Sequence, residues 1–81
     1  MAILLKILSP EKLILEKEVR RVELPGGDGR FVVLQDHAPL ISSLVKGKIE
    51  YTSGDGASDY VAVDSGFVEV SDNKVTACVE L

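Results

Sequence analysis

The stretch FVEVSDNKVTACVEL, Phe67–Leu81, decides how the chain is read. Val68 and Val70 alternate with Glu69 and Ser71, and Val75, Ala77, Val79 and Leu81 alternate with Thr76, Cys78 and Glu80. A period of two belongs to a half-buried strand, because successive side chains point to opposite faces. Between the two runs stand Asp72 and Asn73, which tolerate the positive φ angles that a two-residue hairpin needs. The segment reads as two strands joined by a tight turn, with Val75, Ala77, Val79 and Leu81 on one face.

The same grammar extends toward the N-terminus. Ile3, Leu5 and Ile7 alternate with Leu4, Lys6 and Leu8 until Ser9-Pro10 stops the run. Leu13 and Leu15 follow, then Val19, Val22 and Leu24, and the step from 19 to 22 breaks the period as a β-bulge would. PGGDG, Pro25–Gly29, is the strongest loop, and Phe31–Leu34 is a run short enough for a buried strand. Ile49 and Tyr51 alternate with Lys48 and Glu50, SGDGASD (Ser53–Asp59) reverses the chain, and Tyr60–Val63 resumes it before the turn at Asp64-Ser65-Gly66. Short strands with turns every 8–12 residues or so predict an all-β chain, an antiparallel β-sandwich or barrel. One segment dissents. Leu40, Ile41, Leu44 and Val45 recur at helical spacing, with Asp36 as a cap, Pro39 in the first turn and Gly47 past the end.

Composition sets the bounds. Eighty-one residues make a single domain, 1–81, with one core. The 46% apolar fraction is that of a globular chain, and the 5% aromatic fraction leaves the core to Val, Leu, Ile and Ala. A net charge of −4 repels nucleic-acid phosphates and anionic lipid, so neither is an expected partner. The basic pair Arg20-Arg21 is flanked by Glu16, Glu18 and Glu23 and reads as a solvated strand face. Cys78 is the only cysteine, so no internal disulfide forms. MAILLKIL lacks the basic start and the cleavage site of a signal peptide, and no apolar run reaches the roughly 20 residues that span a bilayer.

Candidate chemistry is sparse. His37, the only histidine, follows Asp36, but neighbours on an extended chain point to opposite faces and make a poor acid–imidazole pair. A dyad of His37 with Cys78 would need distant segments to meet. One His and one Cys are too few for a zinc site, and Gly54–Asp59 lacks the acidic residue that closes a calcium loop. No metal, cofactor or catalytic residue is expected. The glycines of PGGDG precede a strand pattern and not a helix, which excludes a phosphate-binding loop. They fit a tip with unusual backbone angles or close approach to another surface. Lipoyl and biotinyl carrier domains offer an alternative class, with Lys74 just past the Asp72-Asn73 turn. The lysine is not central in that turn, however, and its neighbours do not form Asp-Lys-Ala or Met-Lys-Met.

Taken in order, the motifs resemble the epsilon subunit of F-type ATP synthase, called delta in mitochondria. The family opens with a strand and SPEK, as at Ser9–Lys12, then Val-x-Leu-Pro-Gly, as at Val22–Gly26. A Val-Leu-x-x-His-Ala-Pro-Leu block follows, matched by Val33-Leu34 and His37–Leu40. Gly-Phe-Val-Glu-Val and Asn-x-Val-Thr appear at Gly66–Val70 and Asn73–Thr76. The match runs from about Leu5 to the end of the chain. Departures are Val32 where the family has Gly, Gln35-Asp36 where it has Pro-Gly, Asp64-Ser65-Gly66 for Ser-Gly-Gly, and Arg30 where a glutamate is frequent. At that tip Asp28 is the acid that remains.

The resemblance implies a β-sandwich of two sheets in which Leu40–Val45 is extended, against the helical spacing. It implies a non-catalytic rotor subunit in the central stalk, bound to the gamma subunit and the c ring and helping couple ion-driven rotation to ATP synthesis. The tip Gly27, Asp28, Gly29, Arg30 and Phe31 would face the c ring, and Ser9, His37, Ala38, Pro39, Leu40 and Ser42 would lie toward gamma. The location implied is peripheral, on the cytoplasmic face of a bacterial inner membrane through the complex. Relatives continue into two helices that restrain ATP hydrolysis. A chain that opens on Met and ends at Leu81 is expected to be a naturally short form without them, the alternative being an expressed fragment.

Overall fold

Ile3, Leu5 and Ile7 are fully buried, while Leu4, Lys6 and Leu8 on the opposite face are half-buried. This inner–outer alternation repeats along the chain in a computed structural model that describes residues 2–81. Eight strands result: β1 Ile3–Leu8, β2 Leu13–Gly26, β3 Gly29–Val33, β4 Leu40–Leu44, β5 Gly47–Ser53, β6 Ser58–Val63, β7 Ser65–Ser71 and β8 Lys74–Glu80. Their inner faces meet in one cluster, with Leu5, Leu24, Ile49, Val68, Val75 and Ala77 each shielded completely from solvent. Each strand buries one face, so the ladder must fold over on itself to bring those faces together.

The long β2 makes that possible. Its first half pairs antiparallel with β1, from Ile3↔Val19 to Leu8↔Leu13. Its second half pairs with β3 on one side and β5 on the other. Between the halves the β5 register slips from Val19↔Ser53 to Arg21↔Thr52, which leaves Arg20 as the extra residue. Val19 and Val22, three apart, both reach the core because of this bulge. The step seen in the sequence is thus the bend that lets one strand serve both layers. One layer runs β1-β8-β7-β4, and the other joins β3, β5 and β6 to the second half of β2. The pair Gly26↔Leu44 links the layers at one corner.

The predicted sandwich is therefore present, with four local differences. β1 and β8 run parallel, from Leu4↔Lys74 to Leu8↔Cys78, within otherwise antiparallel ladders. The helical spacing at Leu40–Val45 misleads, and the extended form implied by the family resemblance is found. β4 forms five rungs with β7, so Leu44 turns inward and Ile41 outward. A five-residue window is too short for periodicity to separate the two conformations. Leu81 leaves the inner face because it lies past the last rung, Ser65↔Glu80, and is 63% exposed. Leu34 is exposed as well, since β3 ends at Val33 and the chain turns there. Asp72 and Asn73 take φ of 53° and 61°, as the hairpin reading requires.

Candidate functional site: a tip and an outer sheet face

The Gly27–Phe31 tip is the turn between β2 and β3, where Pro25↔Arg30 and Gly26↔Gly29 are the last rungs. It is tied down to β4: Gly27 N–H donates to the Ser43 carbonyl at 3.0 Å, and Val45 N–H donates to the Pro25 carbonyl at 2.9 Å. A Cβ on Gly27 would collide with the Ser43 hydroxyl. The close approach expected of these glycines is made, and the surface approached is the chain's own β4. Asp28 stays exposed at the apex, while Phe31 is half-buried and packs on the core cluster.

Arg30 does not project from the tip. Its Nε donates to Glu23 at 2.6 Å, and its Nη2 donates to Glu50 at 2.9 Å and to the Lys48 carbonyl at 3.0 Å. Arg21 adds a bond to the other oxygen of Glu23 at 3.1 Å. The Arg30 hydrogen bond, and after it the Arg21 bond, hold the Glu23 carboxyl below the usual carboxylate range. With Arg30 folded back onto its own carboxylates, the acid at the apex is Asp28 alone.

The expected gamma-facing residues fall into separate places. His37, Ala38 and Pro39 sit between β3 and β4, beside the β7–β8 turn, and Leu40 opens β4. His37 N–H donates to the Leu34 carbonyl at 3.2 Å, and its Nδ1 lies 2.7 Å from the Ala38 carbonyl, a geometry that places the proton on Nδ1. Asp36 is engaged elsewhere, by Asn73, so Asp36 and His37 form no pair. Cys78 lies three residues along β8 from the Val75 rung that faces Val70 and Leu40, on the order of 10 Å away. Among the described residues no three of His, Cys, Asp or Glu lie close enough to hold a metal ion.

Ser9 is at the far end of the same layer. It shapes the turn between β1 and β2, accepting from Lys12 N–H at 3.3 Å while its own N–H donates to the Lys12 carbonyl at 2.9 Å. Ser42 lies between the two ends, on the core side of β4 opposite Val68, with its hydroxyl donating to the Ser43 carbonyl at 3.0 Å. Its neighbours Ile41 and Ser43 face outward instead.

What connects the two ends is an outer face on which two large apolar side chains stand among polar ones such as Ser43, Glu69 and Thr76. Ile41 is 77% exposed and Phe67 56%, and the rungs Ile41↔Glu69 and Ser43↔Phe67 put both on that face as diagonal neighbours. An open cleft of about 280 Å³ beside Phe67 is lined by Leu8, Ser9, Pro10 and Cys78. A shallower one of about 360 Å³ is lined by Pro39, Leu40, Ile41 and Glu69. Sequence reasoning assigned neither Ile41 nor Phe67 to a site. For Phe67 the signal was there, since Phe-Val-Glu-Val puts it in phase with Glu69 and out of phase with buried Val68 and Val70.

The architecture is that of a two-layer β-domain with a tethered tip between β2 and β3, and comparison with known proteins specifies its family. The sequence model of the family described as "ATP synthase, Delta/Epsilon chain, beta-sandwich domain" matches residues 2–80, and the chain belongs to that family. It is 51% identical over 72 residues to the ATP synthase epsilon chain of Desulfitobacterium hafniense, covering 89% of this chain and 54% of that one. With the epsilon chain of Nitratidesulfovibrio vulgaris it shares 45% over 76 residues, covering 94% and 56%. The chain thus spans about half the length of the curated relatives it matches. Its fold superposes with a TM-score of 0.90 on a chain of the Euglena gracilis mitochondrial ATP synthase OSCP/F1/c-ring structure, at 24% identity over 96% of this chain and 50% of that one. A chain of the Tetrahymena thermophila central stalk/c-ring structure gives 0.78 at 17% identity, covering 96% and 63%. Family membership displaces the carrier-domain alternative at Lys74.

Proposed function

We propose that this domain, residues 1–81, is a non-catalytic coupling piece of an ATP synthase rotor that grips the gamma subunit and rests on the c ring. One observation carries the reading: Ser9 and the His37–Leu40 loop lie at opposite ends of one sheet face, and the surface between them exposes Ile41 and Phe67. A partner touching both ends must cross Ile41 and Phe67, two neighbouring large apolar side chains that association would remove from water. Of the gamma-facing set, Ser9, His37, Ala38 and Pro39 then mark the two ends of the footprint, with Ile41 and Phe67 at its centre, while Leu40 and Ser42 point to the core side of β4 and support it from behind. Gly27, Asp28, Gly29, Arg30 and Phe31 form the c-ring-facing corner, where Asp28 supplies the charge and Arg30 stiffens the base. A close-packed sandwich suits the role, because it passes strain between partners without yielding. The domain needs no cofactor, and its seat is the cytoplasmic face of a bacterial membrane, peripheral through the complex.

The test is co-purification of this chain with the gamma subunit of the same enzyme, without nucleotide. A stable complex is expected. A folded domain that leaves gamma uncaptured overturns the proposal.

A further inference from the structure

Loop 34–39 carries the histidine and proline of the docking rim, yet little local structure fixes it. A single turn bond, His37 N–H to the Leu34 carbonyl at 3.2 Å, closes its first half. The third residue of that turn, Asp36, holds φ at 64°, a left-handed conformation that carries a steric cost for an L-residue. Glycine occupies such turn positions without that cost. Aspartate adopts this conformation more readily than most residues but is not locked in it, and an outside group does the locking.

The group that does so comes from another part of the chain. The Asp36 N–H donates to Asn73 Oδ1 at 2.7 Å, and Asn73 Nδ2 donates back to Asp36 Oδ1 at 3.1 Å. Among the described residues these two bonds are the ones that tie the loop to another segment by hydrogen bonding. Asn73 is itself fixed, because it sits in the β7–β8 turn at φ 61° and its carbonyl accepts from Leu4 N–H at 2.9 Å. The order of support is β1 to Asn73, Asn73 to Asp36, and Asp36 to His37.

We infer that Asn73 is a positioning residue: its side chain pre-sets loop 34–39 in the conformation in which the partner binds it. The claim rests on the docking reading above and adds a residue outside the footprint that controls it. Pre-ordering a loop lowers the entropy cost of association, so loss of the clamp weakens binding without removing a contact. Both atoms of the carboxamide are used, so the function is specific to a side chain that donates and accepts at once.

Three variants test this: Asn73→Gly, which keeps the left-handed turn and deletes the clamp; Asn73→Asp, which sets two carboxylates against each other; and the exchange Asp36→Asn with Asn73→Asp, which restores one donor and one acceptor. Amide hydrogen exchange at residue 36 and kinetics of binding to purified gamma are the readouts. Asn73→Gly should raise exchange at the Asp36 amide and weaken binding, each by roughly tenfold, with the thermal midpoint little changed. Asn73→Asp should weaken binding as well, and the exchanged pair should recover most of the affinity. Wild-type affinity in Asn73→Gly, or no recovery in the exchanged pair, overturns the inference. If the unaltered domain fails to bind gamma, the docking reading falls and the binding half of this inference with it. The exchange measurement needs no partner, and unchanged protection at residue 36 in Asn73→Gly overturns the clamp itself.

Discussion

Glu23 and Glu50 stand directly opposite one another across the β2–β5 ladder, and one guanidinium, that of Arg30, binds both. Like charges at facing positions of an antiparallel pair are unfavourable. Arg30 reaches them from β3 on the other side of β2, so three strands are fastened on their outer face by one side chain. The hairpin tip gains a rigid base from this arrangement, and the tip's charge is left to Asp28.

Arg30→Ala should therefore do more than remove an ion pair. It leaves two carboxylates facing each other and frees the base of the β2–β3 hairpin. We expect the thermal midpoint to fall by a few degrees. Adding Glu50→Gln in the same chain should recover part of the loss, because the repulsion goes with the charge. Melting curves of the two variants check this, and equal midpoints would assign Arg30 no bridging role.

The same cluster sets a response to acid. Hydrogen bonds from Arg30 and Arg21 depress the folded pKa of Glu23 below its ordinary value of 4.5. The unfolded chain then takes up the proton first as pH falls. The contribution is complete above about pH 4.5 and is lost as pH drops from there through the folded value. Urea midpoints followed from pH 7 to pH 3 should fall more steeply in the wild type than in Glu23→Gln. Parallel curves would mean the depressed pKa has no part in stability.

Much of this was legible in the chain. The bulge between Val19 and Val22, the hairpin at Asp72-Asn73 and the inner face of β1 follow from alternation, since burial on one face imposes a period of two. The Leu40–Val45 segment misled because its apolar residues serve two faces, Leu44 inward and Ile41 outward, which mimics the helical interval. The exposed Phe67 was readable from its phase. The Asp36–Asn73 clamp was not. Its partners are 37 residues apart, and each makes sense alone as a turn residue. The partners of Arg30 were hidden for a related reason, since only the fold brings Glu23 and Glu50 to it.

Gly66 separates a backbone requirement from a merely permissive glycine. Its φ is 153°, and a Cβ there would strike the Cys78 carbonyl, with Val79 Cα only 2.9 Å away. These are backbone atoms of β8 and do not swing aside. Gly66→Ala should cost about 2–4 kcal/mol, from overpacking and strained φ together. Gly54 has no atom within 4 Å of an added Cβ, so Gly54→Ala should be neutral or slightly stabilising. Chemical denaturation of both variants decides the point, and a mild Gly66→Ala would show that the β7–β8 ladder yields more readily than its geometry implies.

The exposed face offers a separation of folding from docking. Ile41 buries little of its surface and Phe67 less than half, and threonine suits a strand, so Ile41→Thr with Phe67→Thr should change stability by no more than about 1 kcal/mol per site. Leu5→Ala, at a position with no exposure, should cost about 2–5 kcal/mol. If the outer face is the centre of the gamma footprint, the double threonine variant loses gamma capture while remaining folded. Leu5→Ala shows the opposite pattern below its own melting temperature: weakened folding with the docking face intact. A double variant that captures gamma normally would remove Ile41 and Phe67 from the interface, and one that melts many degrees lower would make them part of the fold instead.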